Sequence, residues 1–324
     1  MPKQLLVVVM VAALLAPLHV SAAQQAKVHR VGVILQGGPY YAVVDGLRHG
    51  LREMGFLEGQ HFVLEIRDTQ GDLRAVEEAA KALEREPVDL LYTVTTSVTV
   101  ATKRATATIP IVFCAGTDPV AVGLVDAFAK PGGRLTGVYW LSTDLTGKRI
   151  ELLKEIVPNV QRIITFYNPA NPAARESIKQ ARDGARQLGV ELIERQAASV
   201  AELQAALRAL RAGDADGYVA VSDAMVDTQA QLLVDTAKAT RLPTILYDEG
   251  QVRQGGLASY SADFQEAGHL SAKHVQRVLT GTAPKDLPVE GLTRLAPVVN
   301  LQTAQHIGVT IPALVIWRAD KVIK

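Results

Sequence analysis

The chain has a single cysteine, Cys114, so no disulfide closes within it and its fold must rest on buried apolar cores. Cys114 lies in the apolar run 109–115, the setting of an inert, packed thiol rather than a reactive one. Neither sign of charge dominates. The chain carries 34 basic and 33 acidic side chains, scattered rather than clustered, which gives no support to a nucleic-acid surface or a polybasic membrane patch. Signatures of catalysis are missing too. No G-x-G-x-x-G follows the first strand, and there is no Walker motif and no G-x-S-x-G elbow. Of the seven histidines only His269 and His274 lie close together, and five residues apart they share no helix face; they read as surface residues. The expectation is a protein with no catalytic set, no metal site and no cofactor.

Long apolar runs are absent except at the start. Lys3 precedes an apolar segment from Leu5 to Ala16, Pro17 breaks it, and Ser21-Ala22-Ala23 follow. Such a segment is too short to span a bilayer comfortably. Its order is that of a secretory signal peptide over residues 1–23, cleaved near Ala22 or Ala23. No cysteine follows to carry a lipid, so the mature chain is expected free in the periplasm, with 33 basic against 33 acidic side chains once Lys3 is gone.

What is present is an alternation of apolar strands and amphipathic helices. Strands are expected at Val28–Leu35, His61–Arg67, Asp89–Thr95, from Ile109, and at Leu135–Trp140. Helices fill the intervals, one of them from Asp118-Pro119 to Lys130. The pattern then restarts, with strands at Arg162–Tyr167, Val190–Arg195, Asp216–Val221 and Thr244–Tyr247, and an unbroken helix from Ser222-Asp223 to Thr240. The wording recurs as well as the grammar. Leu51-Arg-Glu-Met-Gly-Phe resembles Ala185-Arg-Gln-Leu-Gly-Val, Val88-Asp89 resembles Ala215-Asp216, and Ile109-Pro110 resembles Leu242-Pro243, in order and about 130 residues apart. The fold class is α/β: two Rossmann-like, doubly wound parallel-sheet lobes. Lobe one is expected to comprise 28–141 plus about 262–286, and lobe two 142–261 plus about 287–324. Several hinge crossings would restrict the lobes to opening and closing.

Ligands of open parallel sheets sit beyond the carboxyl ends of the strands, beside helix starts. On lobe one that rule selects Gln36, Tyr40, Thr95, Thr96, Ser97 and Asp118; on lobe two it selects Asn168, Ser222, Asp223, Asp248 and Glu249. Hydroxyls and helix-start amides at Thr95–Ser97 suit a carboxylate. Asp223, Asp248 and Glu249 suit an ammonium group. Thr96, Ser97, Asp118 and Asp223 can equally cap their own helices, and capping explains Asp118 completely. Tyr40, Tyr41, Trp140, Tyr167 and Tyr260 lie near the rims, where a ring could stack a ligand or simply pack.

Several stretches resemble a known family. They are Gly46-Leu-Arg and Leu51-Arg-Glu-Met-Gly-Phe-Leu-Glu-Gly-Gln, Ala107-Thr-Ile-Pro-Ile-Val-Phe, Thr117-Asp-Pro-Val-Ala-Val-Gly-Leu-Val and Lys130-Pro-Gly-Gly-Arg-Leu-Thr-Gly. Glu151-Leu-Leu-Lys-Glu-Ile-Val-Pro, Tyr167-Asn-Pro-Ala-Asn-Pro, Gly255-Gly-Leu-Ala-Ser-Tyr, Asn300-Leu-Gln-Thr-Ala and Gly308-Val-Thr-Ile-Pro complete the set. The chain resembles the exported substrate-binding proteins of ABC transporters, of the TrpX-like type that binds tryptophan or tyrosine. The resemblance implies a type I periplasmic-binding-protein fold that closes on a small solute and delivers it to an ABC permease and its ATPase. It also implies that Thr95–Ser97, Asn168, Ser222-Asp223 and Asp248-Glu249 occupy ligand-facing turns. The expected protein is a monomer without nucleic-acid partners, binding an amino acid or related solute, possibly aromatic. A subunit that presents its closed state to a membrane sensor kinase would share these features. N-terminal sequencing of the periplasmic protein is expected to start near Ala23 or Gln24; a mature protein that still begins at Met1 would refute the cleavage.

Overall fold

The computed structural model describes residues 27–292 and 295–324, and the expected signal peptide lies outside them. Lobe one opens with β1 (His29–Leu35), α1 (Tyr41–Glu53), β2 (Phe62–Asp68), α2 (Leu73–Arg85) and β3 (Leu90–Val94). It continues through α3 (Thr96–Ala105), β4 (Ile111–Ala115) and β5 (Leu135–Tyr139). The chain then crosses and builds α4 (Leu145–Ile156), β6 (Arg162–Tyr167), α5 (Pro172–Leu188), β7 (Glu191–Gln196), α6 (Val200–Ala209) and β8 (Gly217–Val219). Next come α7 (Ala224–Thr228), α8 (Ala230–Thr240), β9 (Thr244–Leu246), α9 (Glu249–Arg253) and β10 (Ala258–Ala262). The tail holds α10 (Phe264–Leu279), β11 (Glu290–Gly291), β12 (Leu295–Asn300), α11 (Leu301–Ile307), α12 (Ala313–Arg318) and β13 (Lys321–Ile323).

The two sheets share one winding. Sheet one runs β11-β5-β4-β3-β1-β2 and sheet two β13-β12-β10-β9-β8-β6-β7, so β2-β1-β3-β4-β5 is repeated as β7-β6-β8-β9-β10. Pairing is parallel throughout except β10 with β12, which is antiparallel. Strands β3 and β4 are buried along their whole length, which explains their lack of alternation. The repeated words do the same work in both lobes. The Asp89 carboxylate accepts the Arg30 N–H at 2.8 Å, and Asp216 accepts the Arg162 N–H at 2.8 Å, each tying the start of a third strand to the start of a first. Gly55 and Gly189 each take positive φ, 75° and 64°, two positions past α1 and one past α5, where the left-handed turn favours glycine.

The tail returns to both sheets. Helix α10 packs on α1 so closely that a Cβ on Gly46 would lie 2.0 Å from the Gln265 carbonyl oxygen, and one on Gly268 1.9 Å from that of Val43. Strand β11 pairs with β5, whereas β12 and β13 extend sheet two. The chain therefore passes between sheets three times: after β5, after β10 and after β11.

Three expectations need correction. The stretch after Asp118-Pro119 is a series of turns, not a helix, because Gly123 adopts φ 69° and ends the first turn, while Leu124 and Val125 are buried against the lobe. The helix expected from Ser222-Asp223 to Thr240 is broken at Gln229, whose N–H bonds to the Val226 carbonyl in a tight three-residue step. His274 is buried rather than on the surface, with Nε2 2.9 Å from the Pro288 carbonyl oxygen, and burial lowers its pKa. Cys114 is buried as expected, its thiol pushed up to about 11 by desolvation.

The α1–α10 contact has no room for a methyl group. Gly268→Ala is expected to destabilise the protein by about 1–3 kcal/mol through overpacking. Urea denaturation checks this, and an unchanged midpoint would mean that the helices separate freely.

Candidate functional site

The strand ends of both lobes meet around a small pocket of about 10 Å³, the space left when the lobes are closed on each other. Lobe one supplies Tyr40, Thr95, Thr96, Ser97, Gly116 and Trp140, and lobe two supplies Asn171, Ala173, Ser222, Ala224 and Tyr247. Three aromatic side chains thus stand among hydroxyls and helix starts. Phe264, at the second crossing, packs behind all three rings, with centroids 5.4 Å from Tyr40, 5.5 Å from Trp140 and 5.7 Å from Tyr247.

The lobe-one wall is held rigidly. Thr95 has φ 85°, a strained conformation for a β-branched residue, and its Oγ1 accepts the Val98 N–H to cap α3. The Thr96 hydroxyl accepts the Gly116 N–H at 3.1 Å and lies 2.9 Å from Thr117 Oγ1, joining the ends of β3 and β4. Ser97 donates to Gln36 Oε1 at 3.0 Å, so Gln36 stands behind the wall as its support. Trp140 is 1% exposed, and its indole Nε1 has no hydrogen-bond partner. A buried donor left unmade is unfavourable, and at a pocket wall it marks a place for a ligand acceptor.

Across the cleft, Tyr40 donates its hydroxyl to Asp227 Oδ2 at 2.6 Å, a direct bond between lobes. Gln251 Nε2 donates to the other oxygen of Asp227 at 3.2 Å. Burial drives the Asp227 carboxyl well above its usual range. Ser222 donates to Ser142 Oγ at 3.1 Å. Asp223 lies just behind, with Oδ2 accepting the Asn168 N–H at 2.5 Å and Oδ1 the Met225 N–H at 3.0 Å. Burial raises Asp223 to about 6, with those hydrogen bonds opposing.

The expected site residues therefore separate into groups. Tyr40, Thr95, Thr96, Ser97 and Ser222 come together at the pocket, whereas Gln36, Asn168 and Asp223 form its backing. Asp118 accepts the N–H groups of Val120 and Ala121 at 2.8 and 3.0 Å and does not line the pocket. Asp248 and Glu249 line a different, open groove of about 820 Å³ that runs beside the Tyr40–Asp227 bond, past Gly38, Thr228 and Asp263. There Asp248 caps α9 through the Gly250 and Gln251 N–H groups, burial raises its pKa to about 6, and Glu249 pairs with Arg253 and Lys321. Asn171 closes the rim turn 168–171 that the strand-end rule points to, whereas Tyr247 and Gly116 were not selected from sequence. Tyr247 immediately precedes Asp248 at the end of β9, so the strand-end rule applied one residue earlier would have found it.

Two doubly wound lobes, three crossings and a pocket shared between their facing rims define a hinged solute-binding protein. The chain belongs to the family described as ABC transporter substrate binding protein, whose model matches residues 28–323. A tyrosine-binding protein of Clostridioides difficile (strain R20291) is 27% identical over 259 residues, spanning 80% of this chain and 74% of that one. A conserved domain protein from Vibrio cholerae is 31% identical, with a TM-score of 0.84 over 91% of this chain and all of the other. The ABC domain from Streptococcus pneumoniae in complex with L-Trp is 26% identical, with a TM-score of 0.83 over 92% of this chain and all of the other. These relatives bear out the two-lobed fold and a binding, non-enzymatic class of protein.

The buried acid behind Ser222 makes a pH prediction. The folded-state pKa of Asp223, about 6, lies above the unfolded value near 3.8, so the folded state holds the proton more tightly. Its contribution is therefore favourable at low pH and is lost as pH rises from about 4 to about 6. Asp223→Asn keeps a capping oxygen and lacks this titration. Its stability relative to the parent is expected to rise between pH 4 and pH 7 by on the order of 2 kcal/mol. Urea unfolding of both proteins across that range would show it, and a constant difference would place the Asp223 pKa near its ordinary value.

Proposed function

We propose that this is an exported binding protein that closes its two lobes on an amino acid with an aromatic or apolar side chain and presents the closed form, as a monomer, to an ABC permease and its ATPase. One observation carries this reading: the pocket combines hydroxyls and the start of α3 on one lobe with Ser222 on the other, inside a wall of Tyr40, Trp140 and Tyr247. The helix start and its hydroxyls suit the acid group of such a solute. The rings suit its side chain. Asp223, one residue beyond Ser222, places negative charge under the opposite wall for the ammonium group. The relatives whose names carry tyrosine or L-Trp support the same ligand class.

Closure follows from where the contacts lie. A solute touching both rims has its full set of partners only in the closed state, so binding shifts the population toward it. Among the described residues no helix is long and apolar enough to cross a membrane, so the mature chain would meet the permease through its surface.

Thermal melting of the mature protein with L-tyrosine, L-tryptophan, sugars and purines tests the reading. An aromatic amino acid at a hundred times its Kd is expected to stabilise the fold by about 2.7 kcal/mol. Thr96→Val, which removes one hydroxyl at nearly constant volume, should abolish most of that gain. Stabilisation by sugars or purines alone would overturn the proposal.

A further inference from the structure

Arg149, on the first turns of α4, is completely buried and yet meets only neutral oxygens. Its Nε donates to the Tyr260 carbonyl at 3.0 Å, Nη2 to Ser142 Oγ at 3.0 Å, and Nη1 to the carbonyls of Ser142 and Ala220 at 3.3 and 3.5 Å. Among the described residues no carboxylate pairs with it directly. Asp227 acts on it only at a distance, its two oxygens taken up by Tyr40 and Gln251. A guanidinium enclosed by dipoles alone is unfavourably placed until a counter-charge arrives.

The charge lies immediately behind the pocket. Ser142 Oγ, which receives the Arg149 bond, also receives the Ser222 hydroxyl, and Ser222 lines the pocket. The guanidinium carbon stands 4.9 Å from the centroid of the Tyr247 ring, which forms the adjoining wall. At the same end lies the unpartnered indole N–H of Trp140. Gly116 leaves that end open: a Cβ there would lie 3.2 Å from the Tyr247 hydroxyl and 3.4 Å from Trp140 Nε1. A buried cation, a free donor and a bare backbone thus converge on one end of the pocket.

We propose that the acid group of a carboxylate-bearing solute lodges at the Gly116–Trp140 end of the pocket, beside the start of α3, and that Arg149 is the positioning residue that selects it by charge across the Tyr247 ring. This rests on the pocket being the solute site, as the proposed function has it. It adds that the counter-ion of Arg149 comes from the ligand. The partners of Arg149 include Ser142 at the first crossing and Tyr260 on the strand that leads to the second. The ligand's charge therefore acts on the hinge itself.

The test compares acids with their uncharged amides: L-tyrosine with L-tyrosinamide, and 4-hydroxyphenylacetate with 4-hydroxyphenylacetamide. Calorimetric titration of the mature protein is expected to favour the acid about tenfold or more in a pair that binds. Arg149→Met should bring that preference close to unity, and Arg149→Lys, which keeps the charge, should retain most of it. A merely structural Arg149 would weaken acid and amide equally in the Met variant, and that outcome overturns the proposal. If the Met variant does not melt cooperatively, Arg149→Gln, which removes the charge but keeps an amide donor, takes its place with the same expected loss of preference. Binding of 4-hydroxyphenylacetate without tyrosine, with the same dependence on Arg149, would uphold this inference and sink the amino-acid reading. Binding of neutral solutes only, or of no carboxylate at all, would sink the inference.

Discussion

Ser142, Ala220 and Tyr260 belong to three separate stretches of chain, and one guanidinium donates to a carbonyl of each. Ser142 lies just after the first crossing begins, Ala220 leads into the Ser222 turn, and Tyr260 lies on the strand that feeds Phe264 at the second crossing. Fixing these three positions relative to one another fixes the lobe-two rim relative to the hinge. The aromatic cluster then depends on it: Tyr247 packs between Arg149 and Phe264, and Phe264 supports Tyr40 and Trp140 of the other lobe. Carbonyl dipoles can hold a guanidinium in place without neutralising it. That leaves a fixed positive charge at the mechanical centre of the protein.

The two lobes are alike where they carry load and different where they face each other. Asp89 and Asp216 tie corresponding strands, and Gly55 and Gly189 follow corresponding helices at positive φ. At the rims the likeness stops. The third strand of lobe one ends in the strained turn at Thr95, whereas that of lobe two runs through Ser222 to an aspartate that caps a five-residue helix. Scaffold positions answer to backbone geometry, which both lobes share. Rim positions answer to a solute that has a different group at each end.

Much of this was legible in the sequence because it is local. Unbroken apolar runs gave away the buried strands, and the strands expected at Leu135–Trp140 and Arg162–Tyr167 are β5 and β6 to within a residue. The duplicated words predicted the shared winding of the sheets. What could not be read is what depends on distant partners. The stretch after Asp118 has helical composition, but burial of Leu124 and Val125 and the turn at Gly123 override it. Asp248 has the right position for a cleft residue, and the closed geometry turns it into the neighbouring groove instead. Nothing in the sequence singles out Arg149; only the fold shows that it is buried and bonded to carbonyls and a hydroxyl.

The packing of α10 on α1 bears on the order in which this chain can fold. Lobe one contains the N-terminal residues, yet one of its covering helices is α10 and one edge of its sheet is β11, both made after nearly all of lobe two. An emerging chain cannot finish lobe one while these pieces are missing, because the glycine faces of α1 stay uncovered. Lobe two waits in turn for β12 and β13 at the very end. Neither sheet can be completed before the segments that follow α10 are in place.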